Sequence, residues 1–128
     1  MSTKNFKKSF GFLLVVSLLL IVLYGKCCWD HGSLSIRVAF AEEQMEIFDG
    51  MRVKASQADP TEAVRYLEYA LNYYPSGSKQ IQDSRLDRMV ERARRNAVAA
   101  IITDLRNRTG KDLGDDPRRW IDQVQLVK

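Results

Sequence analysis

From Ser9 to Gly25 the chain runs through seventeen residues that are all apolar or small, without one charge, and no other feature restricts the fold as much. A helix built from such a run satisfies its own backbone inside hydrocarbon, where an irregular segment cannot. At ~1.5 Å per residue it reaches about 25 Å, slightly short of a ~30 Å apolar layer. Lys7, Lys8 and Lys26 flank the run and can extend their ammonium groups to the polar side, while Trp29 suits an interface. Residues 9–25 therefore read as a single transmembrane anchor. A basic tail (1–8) precedes it, and a juxtamembrane linker (26–36) and a helical domain (37–128) follow.

A cleaved signal peptide shares the pattern of basic start and apolar run, and its alternative product is a secreted helical domain. The cleavage site argues against it. Leu23-Tyr24-Gly25 places a large residue where a small one is needed, and the small-x-small triplet Ala39-Phe40-Ala41 lies well beyond the apolar run. A lipoprotein signal fails because Lys26 precedes Cys27. With Lys4, Lys7 and Lys8 before the span and only Lys26 and Arg37 soon after it, the basic residues place the N-terminus in the cytoplasm and the domain on the periplasmic or extracellular side.

The formal charge of +4 needs locating before it is interpreted. Three of those charges sit in the tail, and from Lys26 onward 17 basic residues face 16 acidic ones, so the domain lacks the net basic footprint of a nucleic-acid binder. Cys27 and Cys28 are the only cysteines. Adjacent residues bridge each other poorly, so in an oxidising compartment they would link two chains as a homo-oligomer rather than close a loop. With one histidine, His31, and no Cys-x-x-Cys, no metal site or other cofactor is expected.

The rest reads as all-α, an anchor helix followed by a small bundle of three to four helices. Asp30-His31-Gly32-Ser33 carries turn residues, hence the linker. From Arg37 to about Gln57, Val38, Ala41, Met45, Phe48 and Ala55 recur at helical spacing, with Glu42, Glu43, Glu46 and Asp49 on the other side. Asp59-Pro60-Thr61-Glu62 is a helix start, and that helix is expected to run to Tyr74 before Pro75-Ser76-Gly77-Ser78 stops it. A third helix spans about Ser84 to Arg108, with Gly110 as its stop and Glu91/Arg95 and Asp104/Arg108 as i,i+4 pairs. Asp116-Pro117 opens a last short helix bearing Trp120, Ile121 and Val124.

Two groups stand out as candidate interaction residues. On the second helix, Val64, Leu67, Ala70, Leu71 and Tyr74 form a core stripe, and Tyr66, Tyr69 and Tyr73 flank it; the wide apolar arc means either that a neighbouring helix covers these rings or that they form an aromatic patch for a partner protein. On the third helix, Arg85, Arg88, Arg92 and Arg95 share one face opposite Leu86, Val90, Ala97 and Ile101. Such a face can grip phosphates or lipid headgroups, or pair with the acids of the first helix. For catalysis there is neither a phosphate loop nor a second histidine. Asp112, Asp115 and Asp116 lack the alternation and terminal Glu of a calcium loop and read as cap and turn residues. The function expected from sequence is a non-catalytic protein-interaction or scaffold module at a membrane, with lipid or anion binding through the arginines as the alternative.

Thr109-Gly110-Lys111-Asp112-Leu113-Gly114-Asp115-Asp116-Pro117-Arg118-Arg119-Trp120 resembles the Thr-Gly-x-Asp-x-Gly-x-Asp-Pro-x-x-Trp element that closes some bacterial HEAT-repeat-like helical proteins. The resemblance implies a helical, αα-hairpin scaffold with a packed tryptophan, and it brings no catalytic residues. No unit of about 40 residues occurs twice, as a true solenoid would require.

Overall fold

A computed structural model describes residues 3–125, with side chains described for residues 10–123. Lys4, Lys7 and Lys8 of the basic tail and Val124 thus have side chains outside the described residues. Four helices follow one another: α1 (Thr3–Gln57), α2 (Pro60–Asn72), α3 (Arg85–Thr109) and α4 (Pro117–Gln125). There is no strand among the described residues, and the fold is all-α. The chain divides into two compact units, Met1–Ile36 and Arg37–Lys128.

The first unit is helical and apolar. Its most apolar stretch has a mean hydropathy of 2.3 and no buried residue, so by length and composition it is a helix able to cross a membrane. Residues 26–36 correct the expectation of an irregular linker, because they too are helical. The reason lies in the turn residues themselves. No proline interrupts them, and one glycine costs only ~1 kcal/mol. The Ser33 and Ser35 hydroxyls donate back to the Asp30 and His31 carbonyls at 3.0 and 3.1 Å, a bond compatible with helix.

In the second unit the final stretch of α1 packs by a face repeating at three and four residues: Ala41, Gln44, Phe48, Met51 and Ala55 are buried. Gln44 and Met51 join the expected set, while Met45 only borders the core. α3 buries Asp87, Val90, Arg94, Ala97, Ile101 and Leu105 at matching spacing. Ala41 shares a cluster with Val90, and Ala55 shares one with Leu105, so α1 and α3 run the same way. α2 returns between them, inserting Ala63, Val64, Leu67 and Ala70.

Capping chemistry sets the ends. Asp59 accepts the Thr61 and Glu62 amides at 2.9 and 3.1 Å, and Pro60 fills the first turn of α2. Ser84 accepts the Asp87 amide at the start of α3, and Gly110 ends that helix in the left-handed region at φ 66. α2 stops at Asn72 rather than Tyr74, because Pro75 disfavours a helical residue before it; Tyr73 is extended and Tyr74 takes φ 37.

The segment from Thr109 to Trp120 closes the domain. Asp112 accepts the Gly114 amide at 3.0 Å, Gly114 has φ 81, and its carbonyl accepts the Trp120 indole N–H at 2.9 Å. Trp120 is 3% exposed, in one cluster with Leu67, Ile102 and Leu105. Trp120→Ala is expected to cost ~3–5 kcal/mol in denaturant unfolding. With Trp29 replaced, the remaining emission should be blue-shifted; a spectrum as red as free indole would contradict this packing.

Candidate interaction surface

Where α2 ends, its last carbonyls have no helical partner, and α3 supplies one. Arg94 donates from Nη2 to the Tyr73 carbonyl at 2.6 Å and also to the Tyr74 carbonyl, while its guanidinium lies 5.3 Å from the Phe48 ring centroid. One heptad earlier, Asp87 gathers the loop that follows. It accepts the Ser76 hydroxyl at 2.5 Å, the Gly77 amide at 3.1 Å and the Asp83 amide at 3.0 Å. Burial pushes the Asp87 carboxyl up. The bonds from Ser76, Gly77 and Asp83 and the charge of Arg94 outweigh that, so its pKa falls below the usual 3.8. Gln80 then fastens the loop to α1 by donating to the Arg37 carbonyl at 2.8 Å.

Held this way, the loop brings aromatic rings together. Tyr73 stands edge-on to Phe48 at 5.8 Å and to Tyr74 at 4.7 Å, and Tyr69 lies 5.4 Å away at a tilt. The Lys79 ammonium sits 4.8 Å from the Phe40 ring and 4.7 Å from Tyr74. Burial, then the neighbouring Tyr69, Tyr74 and Glu43, raise the Tyr73 phenol above 10.0, so that phenol stays neutral at physiological pH.

The three tyrosines singled out from sequence are not equivalent. Tyr66 is half-buried against the cluster around Leu67, Tyr73 is half-buried against Phe48, and Tyr69 is 55% exposed. Tyr74, expected in the core, is instead 42% exposed. Phe40, Tyr74, Lys79 and the two buried charges Asp87 and Arg94 belong to the surface or its support and were missed. The local signal was Pro75, which forces the chain out of helix at Tyr74. Nothing local marked Arg94 apart from its place in the apolar repeat of α3.

Arg85, Arg88, Arg92 and Arg95 are exposed on the outer face of α3. They do not meet the acids of α1, a pairing the sequence allowed. Asp49 pairs with Arg52 at 2.6 Å, Glu91 reaches Arg94 at 3.4 Å rather than Arg95, and Arg88 donates to the Asp83 carbonyl. The cause is the face that α1 buries: with Ala41, Gln44 and Phe48 inward, Glu42 and Glu46 stand on the opposite side. Asp104 and Arg108 do pair, at 2.5 Å.

The carboxylates near the C-terminus have partners of their own. Asp112 and Asp115 hold Arg106 at 3.0 and 2.9 Å, and Asp116 accepts the Arg118 amide. Among the described residues no three His, Cys, Asp or Glu side chains gather as a metal set. Cys27 and Cys28 are free and exposed. Two shallow grooves border α3. One, of about 500 Å³, lies beside Leu71, Arg95, Val98, Ile102 and Pro117; the other, of about 410 Å³, lies between α1 and α3.

Comparison with protein-family models, curated proteins and solved structures finds no match to the chain.

Asp87→Ala should cost about 3 kcal/mol at neutral pH, since it removes three bonds to a buried carboxylate and leaves Glu91, among the described residues, as the one carboxylate beside the buried Arg94. A carboxyl whose folded pKa is depressed stabilises above its unfolded value and loses that contribution as pH falls through the folded one. The stability gap between wild type and Asp87→Asn, followed by urea titration, should therefore be widest near neutrality and shrink below about pH 4. A gap independent of pH would remove the ionised carboxylate from this account.

Proposed function

We propose that the protein is a single-pass membrane protein whose helical domain is a non-catalytic interaction module for another protein, engaged through the aromatic cluster at the end of α2. The observation that carries this reading is that Tyr69 and Tyr74 remain exposed while their rings contact Tyr73, itself edge-on to Phe48. Rigid aromatic rings with a polar tip give contact area at little entropic cost and commonly dominate binding energy. The likeness of residues 109–120 to the closing element of HEAT-repeat-like proteins fits a scaffold of this kind.

Retention of the N-terminal helix as an anchor draws support from the domain's use of residues 37–41. Cleavage after Ala41 would remove the Arg37 carbonyl that accepts Gln80, the Phe40 ring beside Lys79, and a core side chain. The native protein should stay in the membrane pellet after alkaline extraction, with an intact mass that includes residues 9–25. A soluble chain beginning at Glu42 would convert the reading to a secreted domain. With the N-terminus cytoplasmic, an impermeant maleimide added from the outside should label Cys27 and Cys28; labelling only after the membrane is opened would reverse the topology.

The partner-binding role is tested with Tyr69→Ser/Tyr74→Ser, which spares the half-buried Tyr66 and Tyr73. Cross-linking in intact membranes should capture a partner with wild type and lose it roughly tenfold or more with this variant, while circular dichroism stays unchanged. Unimpaired capture would sink the aromatic surface. The exposed arginine face keeps lipid or anion binding as the second reading. It would be favoured if the chain bound anionic vesicles with an affinity that collapses toward ~1 M salt, where the screening length is ~3 Å.

A further inference from the structure

We propose that the groove between α1 and α3 is the interface of a parallel homodimer, in which the acidic rim of each copy meets the basic rim of the other. The groove, about 410 Å³, has Phe48, Ala93, Ala97 and Ala100 among its walls, small residues for the most part that let a second backbone approach closely. On its α1 side, past Met45 and Asp49 and away from the buried face, stand Glu42 and Glu46, both exposed. On its α3 side stand Arg85 and Arg92, also exposed, with Met89 between them at 45% exposure. Among the described residues neither glutamate and neither of these arginines has an ion-pair partner within its own chain; the nearby Asp49 is held by Arg52.

The geometry of the two helices makes this surface complementary to itself. α1 and α3 run in the same direction, and Met45, Phe48, Asp49 and Arg52 line the groove opposite Ala93, Asn96, Ala97 and Ala100. On that alignment Arg92 stands at a height between Glu42 and Glu46, and Arg85 lies about 10 Å further along, about 8 Å beyond Glu42, counting ~1.5 Å per residue. A two-fold axis parallel to the helices, passing in front of the groove, carries the α3 rim of one copy onto the α1 rim of the other without changing height. Both contacts form at once, as an isologous interface requires. Such an axis also leaves both N-termini on the same side, as two membrane-anchored copies need. That compatibility rests on the anchor reading, while the match of the rims does not.

Opposite charges on two faces of one domain can in principle meet a different acidic or basic partner. A second copy is favoured because one chain carries both complements beside the same groove, with Arg92 level with Glu42 and Glu46 and Arg85 just over one turn beyond Glu42.

The test is a charge swap in the full chain, purified in a mild detergent with Cys27 and Cys28 replaced by serine, so that neither a disulfide nor a mixed redox state contributes. Sedimentation should give the protein mass of two chains for this parent. Glu42→Lys/Glu46→Lys should weaken the dimer at least tenfold, and so should Arg85→Glu/Arg92→Glu, because each sets like charges face to face. Mixing the two variants should restore the two-chain mass, since both rims are then opposite in sign again. A monomeric parent overturns the proposal. So does a dimer that survives both reversals, which would place association in the apolar helix, and so does a loss that mixing fails to rescue. Alkaline extraction of the same proteins reads the anchor separately, so a failed interface and a failed anchor are distinguishable.

Discussion

Helices end with carbonyl groups that have no partner, and this domain meets that need from a single element. α3 sends Arg108 to the Ala55 and Ala58 carbonyls, where α1 finishes, at 2.8 and 2.5 Å, and Arg94 to Tyr73 and Tyr74, where α2 finishes. Arg106 holds the following loop through Asp112 and Asp115. Each cation lies near the negative end of a helix or against a carboxylate, where its charge is favourable. Without these three side chains α3 would still bury Val90, Ile101 and Leu105, but the last carbonyls of α1 and α2 would lose their cations and the loop after α3 its tie to Arg106. The aromatic surface is thus a product of α3, although most of its rings come from α1 and α2.

That division explains how far the sequence could be read. Helix positions followed from local chemistry: Asp59-Pro60, Ser84 with Asp87, and Gly110 are caps whose effect stays within one turn. The buried faces followed from spacing. The all-α architecture and the apolar N-terminal helix were therefore legible. Residues 26–36 were not, because Asp-His-Gly-Ser favours turns only on average, and a segment without proline whose serine hydroxyls bond helix carbonyls is compatible with helix.

The surface was legible only in part. Tyr69 was found from the width of the apolar arc, but no periodicity says which of several tyrosines a neighbouring helix covers. Tyr66 and Tyr73 are covered, and Tyr74 is turned outward by a backbone that leaves the helix two residues before a proline. Arg94 looked like one more member of an arginine-rich helix. Its difference from Arg92 and Arg95 lies in facing inward, on the repeat of Val90, Ala97 and Ile101, and its carbonyl partners are fixed by where α2 ends.

The placement of Asp87 and Arg94 also bears on how α3 finds its alignment. Their spacing of seven residues is one full repeat of the packing pattern, and helices with such repeats can slip by a heptad while keeping most apolar contacts. Alanines at Ala93, Ala97 and Ala100 would do little to resist a slip. A shift of one repeat would carry the Asp87 carboxylate to the position of the Arg94 guanidinium, against the Tyr73 and Tyr74 carbonyls, where it can only repel. The two buried charges therefore encode a unique register for a helix whose apolar side chains alone would tolerate several.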